Sequence, residues 1–213
     1  ALNIDYKIFV EPQDVSNYNF KNIEVLLENN KGLGYALCEV KRYAVKNNYD
    51  LIFKIDDDVK SIGQLKEDLD RVVKAFNIGK VAAICFPYEF EFYAKTEKLF
   101  TRVNKRIQTS YIIRTSVFNP SADISTFEDF YQFLNIRSKG FDTLYCSKHL
   151  IKMSKMVGEG VGGLQDFNRK DMAIKEIQMF KDIDPTISVI TKKEKSWYYE
   201  PKFTGKKYKS KAI

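Results

Sequence analysis

Three consecutive carboxylates close a short apolar run in Asp50-Leu-Ile-Phe-Lys-Ile-Asp56-Asp57-Asp58-Val59. Leu51, Ile52, Phe53 and Ile55 have the β-branched and aromatic character of a buried strand. Aspartates crowded at a strand end repel one another unless a cation or several donors neutralise them. In open α/β sheets the carboxyl ends of the strands are where ligands bind. Hard divalent cations take oxygen ligands, and Mg²⁺ or Mn²⁺ is commonly shared between one or two carboxylates and a substrate diphosphate. The run therefore reads as a metal–diphosphate site. The plain alternative is a solvated turn whose aspartate caps the next helix.

Other residues with chemical potential are spread along the chain. Asn29-Asn30-Lys31-Gly32-Leu33-Gly34 precedes a helical pattern, and Phe127-Glu128-Asp129-Phe130 opens another. Two acids in a first helical turn also suit the macrodipole without any catalytic role. His149 is the only histidine, and the serines and cysteines form no nucleophile–base spacing, which argues against a covalent acyl intermediate.

The elements that must position these groups are legible in outline. Strands are expected at Ile4–Val10, Ile23–Leu27, Leu51–Ile55, Val81–Phe86 and Phe141–Cys146, with one long strand or hairpin at Arg106–Phe118. Helices are expected at Tyr35–Asn47, at Ile62–Phe76 with Ser61 as N-cap, at Glu128–Lys139 and at Phe167–Asp182. Phe90–Thr101 reads as a loop or ribbon, and Gly158–Gly163 as a flexible loop. The early alternation of strand and helix implies an α/β sheet, mostly parallel at its start.

Composition bounds the class. The chain has 213 residues, 44% hydrophobic and 30% charged, which fits one sizeable globular core. No apolar run is long enough to span a bilayer, so no membrane partner is expected. Cys38, Cys85 and Cys146 are odd in number, far apart and set in apolar segments. They read as buried free thiols in a reducing, cytoplasmic compartment. The net charge of +7 is concentrated at the end: Thr191–Ile213 holds eight lysines against Glu194 and Glu200, a local +6. Interleaved with Trp197, Tyr198, Tyr199, Phe203 and Tyr208, this segment reads either as a grip for a polyanion or as a solubilising terminus.

In this order the motifs resemble those of GT-A nucleotide-sugar glycosyltransferases, most closely the TET-associated branch of DNA-hypermodifying phages, related to the base J glucosyltransferases. Val10-Glu11-Pro12-Gln13-Asp14 and Gly32-Leu33-Gly34 carry that likeness beside the Asp triplet, over roughly Ile4 to Gly163. The resemblance implies a GT-A-like, Rossmann-like fold with a mixed, mostly parallel sheet flanked by helices over residues 1–190, and a basic aromatic extension at 191–213. It implies a first strand before Ile4. It places Glu11 beside the nucleoside, and Asn30, Gly32 and Gly34 where backbone approaches the donor. Asp58 would bind Mn²⁺ or Mg²⁺ together with Asp56, while Asp56 or Asp57 would hold ribose or a bridging water. His149 would be a third metal ligand. Asp129 or Glu128 would act as general base. Gly162, Gly163, Lys192, Lys193 and Trp197 would meet the substrate. Many relatives carry Arg-Asn shortly after the Gly-x-Gly, where this chain has Leu37-Cys38.

The implied reaction moves a sugar from a nucleoside-diphosphate sugar, a UDP-sugar in the first instance, to the hydroxyl of a 5-hydroxymethylpyrimidine in DNA. If phage-encoded, it would work in the host cytoplasm. The alternatives are a saccharide or protein acceptor, a nucleotidyltransferase, or a non-enzymatic nucleic-acid-binding module.

Overall fold

The computed structural model of the chain describes residues 6–56, 59–63, 65–89, 96–108, 110–124, 126–153, 169–191, 199–202, 209 and 211–212. Strands β1 (Ile8–Val10) and β2 (Ile23–Val25) pair in parallel, with Ile8 opposite Ile23, as a separate two-stranded sheet. Helix α1 (Gly32–Lys46) leads to β3 (Leu51–Lys54) and β4 (Val59–Ile62). Helix α2 (Leu65–Lys74) precedes β5 (Val81–Cys85), β6 (Arg102–Val103) and β7 (Tyr111–Arg114). Then come α3 (Glu128–Ser138), β8 (Asp142–Tyr145), β9 (Ile151–Met153) and α4 (Arg169–Ile183). The described chain ends in β10 (Ser188–Thr191), β11 (Tyr199–Lys202) and β12 (Lys211–Ala212).

The central sheet has six strands in the order β12-β6-β8-β5-β7-β3. It is open, mixed and flanked by helices, but it is not mostly parallel. Among its described strands only β5 and β8 pair in parallel; β7 pairs antiparallel with both β3 and β5, and β6 antiparallel with both β8 and β12. The expectation failed for a physical reason. The pattern β3–α2–β5 makes those two strands run in the same direction, but it does not make them neighbours. An antiparallel strand from later in the chain lies between them.

This arrangement sends β3, β5 and β8 the same way, so their carboxyl ends share one edge. Side-chain alternation then sorts the core into two faces. Ile52, Cys85, Tyr111, Ile113 and Tyr145 belong to the cluster shared with Leu37 and Ala44 of α1, Phe133 and Leu134 of α3 and Phe180 of α4. Ile84, Ile112 and Leu144 face the opposite cluster, with Leu65 and Val72 of α2, Phe76 and Ile151.

Three local expectations also change. Ser61 does not cap a helix: it lies in β4, which pairs antiparallel with β9, and α2 begins at Leu65. Of Arg106–Phe118, only Tyr111–Arg114 is strand. At the basic end, two described segments are paired strands. Tyr199–Lys202 pairs with Ser188–Thr191, and Lys211–Ala212 forms the outer strand beside β6. The Gly158–Gly163 loop lies outside the described residues. Cys38, Cys85 and Cys146 are free thiols, the last two buried. No helix among the described residues is long and apolar enough to cross a membrane.

The glycine pair at the start of α1 has a packing role. Gly32 adopts φ +81°, a conformation that disfavours any residue with a Cβ. Gly34 is buried, and a Cβ there would come within 2.1 Å of the Ile124 carbonyl oxygen and 2.3 Å of that of Ser121. Gly34 thus lets the helix start lie directly on the loop that leads into α3. Because that obstruction is backbone, Gly34→Ala is expected to cost about 3 kcal/mol, the upper end of the usual overpacking range. Gly79→Ala, with φ +57° and no atom within 4 Å, should cost only about 1 kcal/mol of left-handed strain. Urea unfolding of the two variants checks this; equal losses would contradict the packing role.

Candidate functional site

The inward-facing parity of β3 puts a charge where an apolar residue is expected. Ile52 packs into the core on the α1–α3 side, and two residues on, Lys54 points the same way with only 8% of its surface exposed. A buried ammonium needs counter-charges. Lys54 has two: it pairs with Asp56 at the end of its own strand, and its Nζ donates to Glu128 Oε1 at 3.1 Å. Directly across the ladder is Tyr111, whose ring centroid lies 5.7 Å from Lys54 Nζ. The Asp-rich strand end and the acidic start of α3, more than seventy residues apart in sequence, therefore meet on one lysine.

Helix α3 is anchored from behind. Its N-cap, Phe127, makes no side-chain capping bond. Instead, buried Glu176 of α4 accepts hydrogen bonds from the backbone N–H groups of Thr126 (2.9 Å) and Phe127 (2.8 Å). Two of the orphan donors at a helix entry are thereby satisfied, and the position of Glu128 and Asp129 is set. Asp129 Oδ1 accepts the Phe130 N–H at 2.8 Å, and Oδ2 lies 3.5 Å from Arg106 Nε. The Arg106 guanidinium also covers the Phe130 ring, 4.0 Å from its centroid.

The electrostatics follow from burial and crowding. Burial works to discharge Lys54, but Glu128 and Asp56 outweigh it and hold its pKa above the ordinary lysine value. Burial raises Glu128 to about 7; Lys54 opposes this, and Asp129 and Asp56 reinforce it. Burial also raises Asp129, against the pull of Arg106. Among the described residues three acids here share two cations. The Tyr111 hydroxyl and Glu128 Oε2 are buried and have no hydrogen-bond partner among the described residues.

The other expected residues fall in three groups. Glu11 and Asn30 are brought together, since Gln13 Nε2 donates to Glu11 Oε2 at 2.9 Å and to Asn30 Oδ1 at 3.0 Å. This exposed network joins the end of β1 to the loop before Gly32. Through Gly34 and the 121–124 loop, the start of α1 is in turn tied to the approach to α3. His149 is placed elsewhere. It is buried beside Gly63, past the far end of β4 from the Asp triplet, and its Nε2 lies 3.1 Å from Asp68 Oδ2. Asp68 also binds Lys148 Nζ and Arg71 Nη1, each at 2.6 Å. The third group, Asp57, Asp58, Gly162, Gly163, Lys192, Lys193 and Trp197, lies outside the described residues.

An oxygen-only donor set with excess negative charge suits Mg²⁺ or Mn²⁺. Among the described residues no group of three or more His, Cys, Asp or Glu side chains is arranged to hold a metal ion. Asp57 and Asp58 lie outside the described residues, and Asp56 pairs with Lys54. A cavity of about 730 Å³ lies at the opposite end of β3, lined by Lys41, Asp50, Lys74 and Arg114, away from this chemistry.

Sequence reasoning missed Lys54, Arg106, Tyr111 and Glu176. Lys54 had a readable signal: a charged residue at an inward position of an apolar strand demands an acidic partner. The other three depend on long-range packing. No family model, curated protein or solved structure matches the chain, and the site is read from its own geometry.

The raised pKa of Glu128 has a consequence for stability. Between its ordinary value of 4.5 and about 7, the folded chain keeps a proton that the unfolded chain has released. Its contribution is therefore greatest below about pH 4.5 and is lost as pH rises through 7. Asp68, lowered to about 2 chiefly by its bond from Lys148, acts the other way: its contribution is lost as pH falls from 3.8 through about 2. Glu128→Gln removes the first effect and leaves that of Asp68. Relative to wild type, the variant should gain stability as pH rises from 4.5 through 7. Denaturant unfolding across that range measures it, and a pH-independent difference would contradict the assignment.

Proposed function

We propose that the chain is a metal-dependent glycosyltransferase of GT-A-like fold that moves a sugar from a nucleoside-diphosphate sugar to the hydroxyl of a 5-hydroxymethylpyrimidine in DNA. The observation that carries this reading is the Lys54 bridge. It sets the strand end expected to face the donor diphosphate against the helix start expected to face the acceptor. The common direction of β3, β5 and β8 supports it, since their carboxyl ends form the edge where such sheets bind ligands.

In this reading Glu11 and Asn30 accept hydrogen bonds from the nucleoside, in a loop pair already organised by Gln13. Asp58 and Asp56 would hold Mn²⁺ or Mg²⁺, which would supply Lewis-acid charge for the departing diphosphate. Asp129 is the base. Its side chain is 21% exposed against 9% for Glu128, so it is the acid that an acceptor hydroxyl reaches more readily. As the hydroxymethyl oxygen attacks the anomeric carbon, Asp129 takes its proton and the bond from that carbon to the diphosphate oxygen breaks. Arg106 keeps Asp129 oriented and favours its ionised form. The basic end supports a polyanionic acceptor: the local charge is +6, and Lys209 and Lys211 are exposed.

Release of nucleoside diphosphate is expected to require Mn²⁺ or Mg²⁺ and to stop in chelator. Asp58→Asn should abolish it without unfolding the chain. Asp129→Asn should keep donor affinity while losing about 10²- to 10⁴-fold in kcat, the contribution of a general base. Full activity in chelator or in Asp58→Asn would sink the metal assignment. A fully active Asp129→Asn beside an inactive Glu128→Gln would move the base one residue back.

A further inference from the structure

We propose that Lys54 is a positioning residue, whose buried ammonium ties the Asp56 end of β3 to Glu128 on α3 and so sets the geometry between diphosphate and proton acceptor. The inference rests on the glycosyl-transfer reading and adds to it a residue that touches neither substrate.

The argument begins with what else could hold these groups. Glu128 Oε1 accepts from Lys54, and Glu128 Oε2 has no partner among the described residues. Lys54 is thus the one charged anchor of that carboxylate among them. Asp56 uses the same ammonium. The lysine cannot easily move: Tyr111 lies across the ladder with its ring beside Nζ, and both residues are buried. Asp129 follows Glu128 directly in the first turn of α3, so a shift of Glu128 shifts Asp129 with it.

The start of α3 is also fastened by Glu176 through two backbone N–H groups. Loss of Lys54 therefore leaves the helix in place while freeing the carboxylates at its front. That separates a positioning effect from unfolding. Misplacement by about 1 Å is enough to cost on the order of 10²-fold in rate.

The test is a double-mutant cycle of wild type, Lys54→Met, Glu128→Gln and the double variant. Thermal unfolding is followed for all four, and Mn²⁺-dependent turnover of a nucleotide-sugar panel is measured where each is folded. Lys54→Met should lower kcat by about 10²-fold and leave KM for the donor within about twofold. In the Glu128→Gln background the same substitution should lower kcat by clearly less than in wild type, because part of the effect of Lys54 runs through Glu128. The two should also couple in melting temperature, the double variant losing less than the sum of the singles. Should Lys54→Met alone fail to fold, the double variant and Glu128→Gln still give the comparison. Additive effects on kcat, or a folded Lys54→Met with wild-type turnover, overturn the positioning role. A wild type that turns over no nucleotide-sugar overturns the transfer reading, and with it any role for Lys54 in transfer; coupling in melting temperature then shows a purely structural clamp, and its absence removes even that.

Discussion

A lysine ammonium enclosed between two carboxylates is an expensive thing to bury. Each charge gives up several kcal/mol of hydration, and only good geometry and further hydrogen bonds return it. Lys54 meets that demand with Asp56 on one side, Glu128 on the other and the Tyr111 ring beside it. Losing one partner of such a group typically costs about 3–5 kcal/mol, because a lone buried charge remains. A well-packed apolar substitute would often be as stable. A third acid, Asp129, crowds the same place, with Arg106 and the Phe130 N–H as its partners among the described residues. An arrangement that gathers more negative than positive charge at a sheet edge is poor economy for stability alone, and that is the physical ground for reading it as a site.

The surrounding fold concentrates on holding this edge. Glu176 reaches from α4 to the entry of α3 and satisfies two backbone donors. Gly34 allows α1 to lie against the Ser121 and Ile124 carbonyls, immediately before that entry. On the other side of the sheet, Asp68 gathers Lys148, Arg71 and His149, fastening the loop after β8 to α2. Burial lowers the pKa of His149 and so favours its neutral form, which Asp68 opposes. Its ring serves this second cluster, and the functional reading does not need it as a ligand. Cys146, on the same loop, is buried, and that burial chiefly pushes its thiol up to about 12, against the thiolate form.

What the sequence made legible follows from the range of each interaction. The α1 pattern of Leu33, Leu37, Val40 and Ala44 is local and periodic, and its helix formed with that face inward. The Asp run and the Glu128-Asp129 pair were visible as residue types at element ends. The parity of β3 even contained the clue to Lys54. By contrast, β7 enters between β3 and β5 from later in the chain, and β4 is a strand because β9 pairs with it. The lysine-rich end looked like a solvated extension because short strands such as Lys211–Ala212 are fixed by their partner and not by their own composition. Direction, register and long-range pairing are properties of the folded chain, and no local window carries them.

The central claim is the proposal that the carboxylates gathered around Lys54 serve sugar transfer. The most direct measurement incubates the protein with Mn²⁺, a panel of nucleotide-sugars and DNA carrying 5-hydroxymethylcytosine or 5-hydroxymethyluracil, with unmodified DNA alongside. Digested nucleosides are then read by mass. The account predicts a hydroxymethylpyrimidine nucleoside heavier by one sugar residue, formed by the wild type and not by Asp129→Asn, and absent from unmodified DNA. No sugar-bearing nucleoside with any donor, or equal product from wild type and from a variant lacking both Glu128 and Asp129 carboxylates, would contradict it.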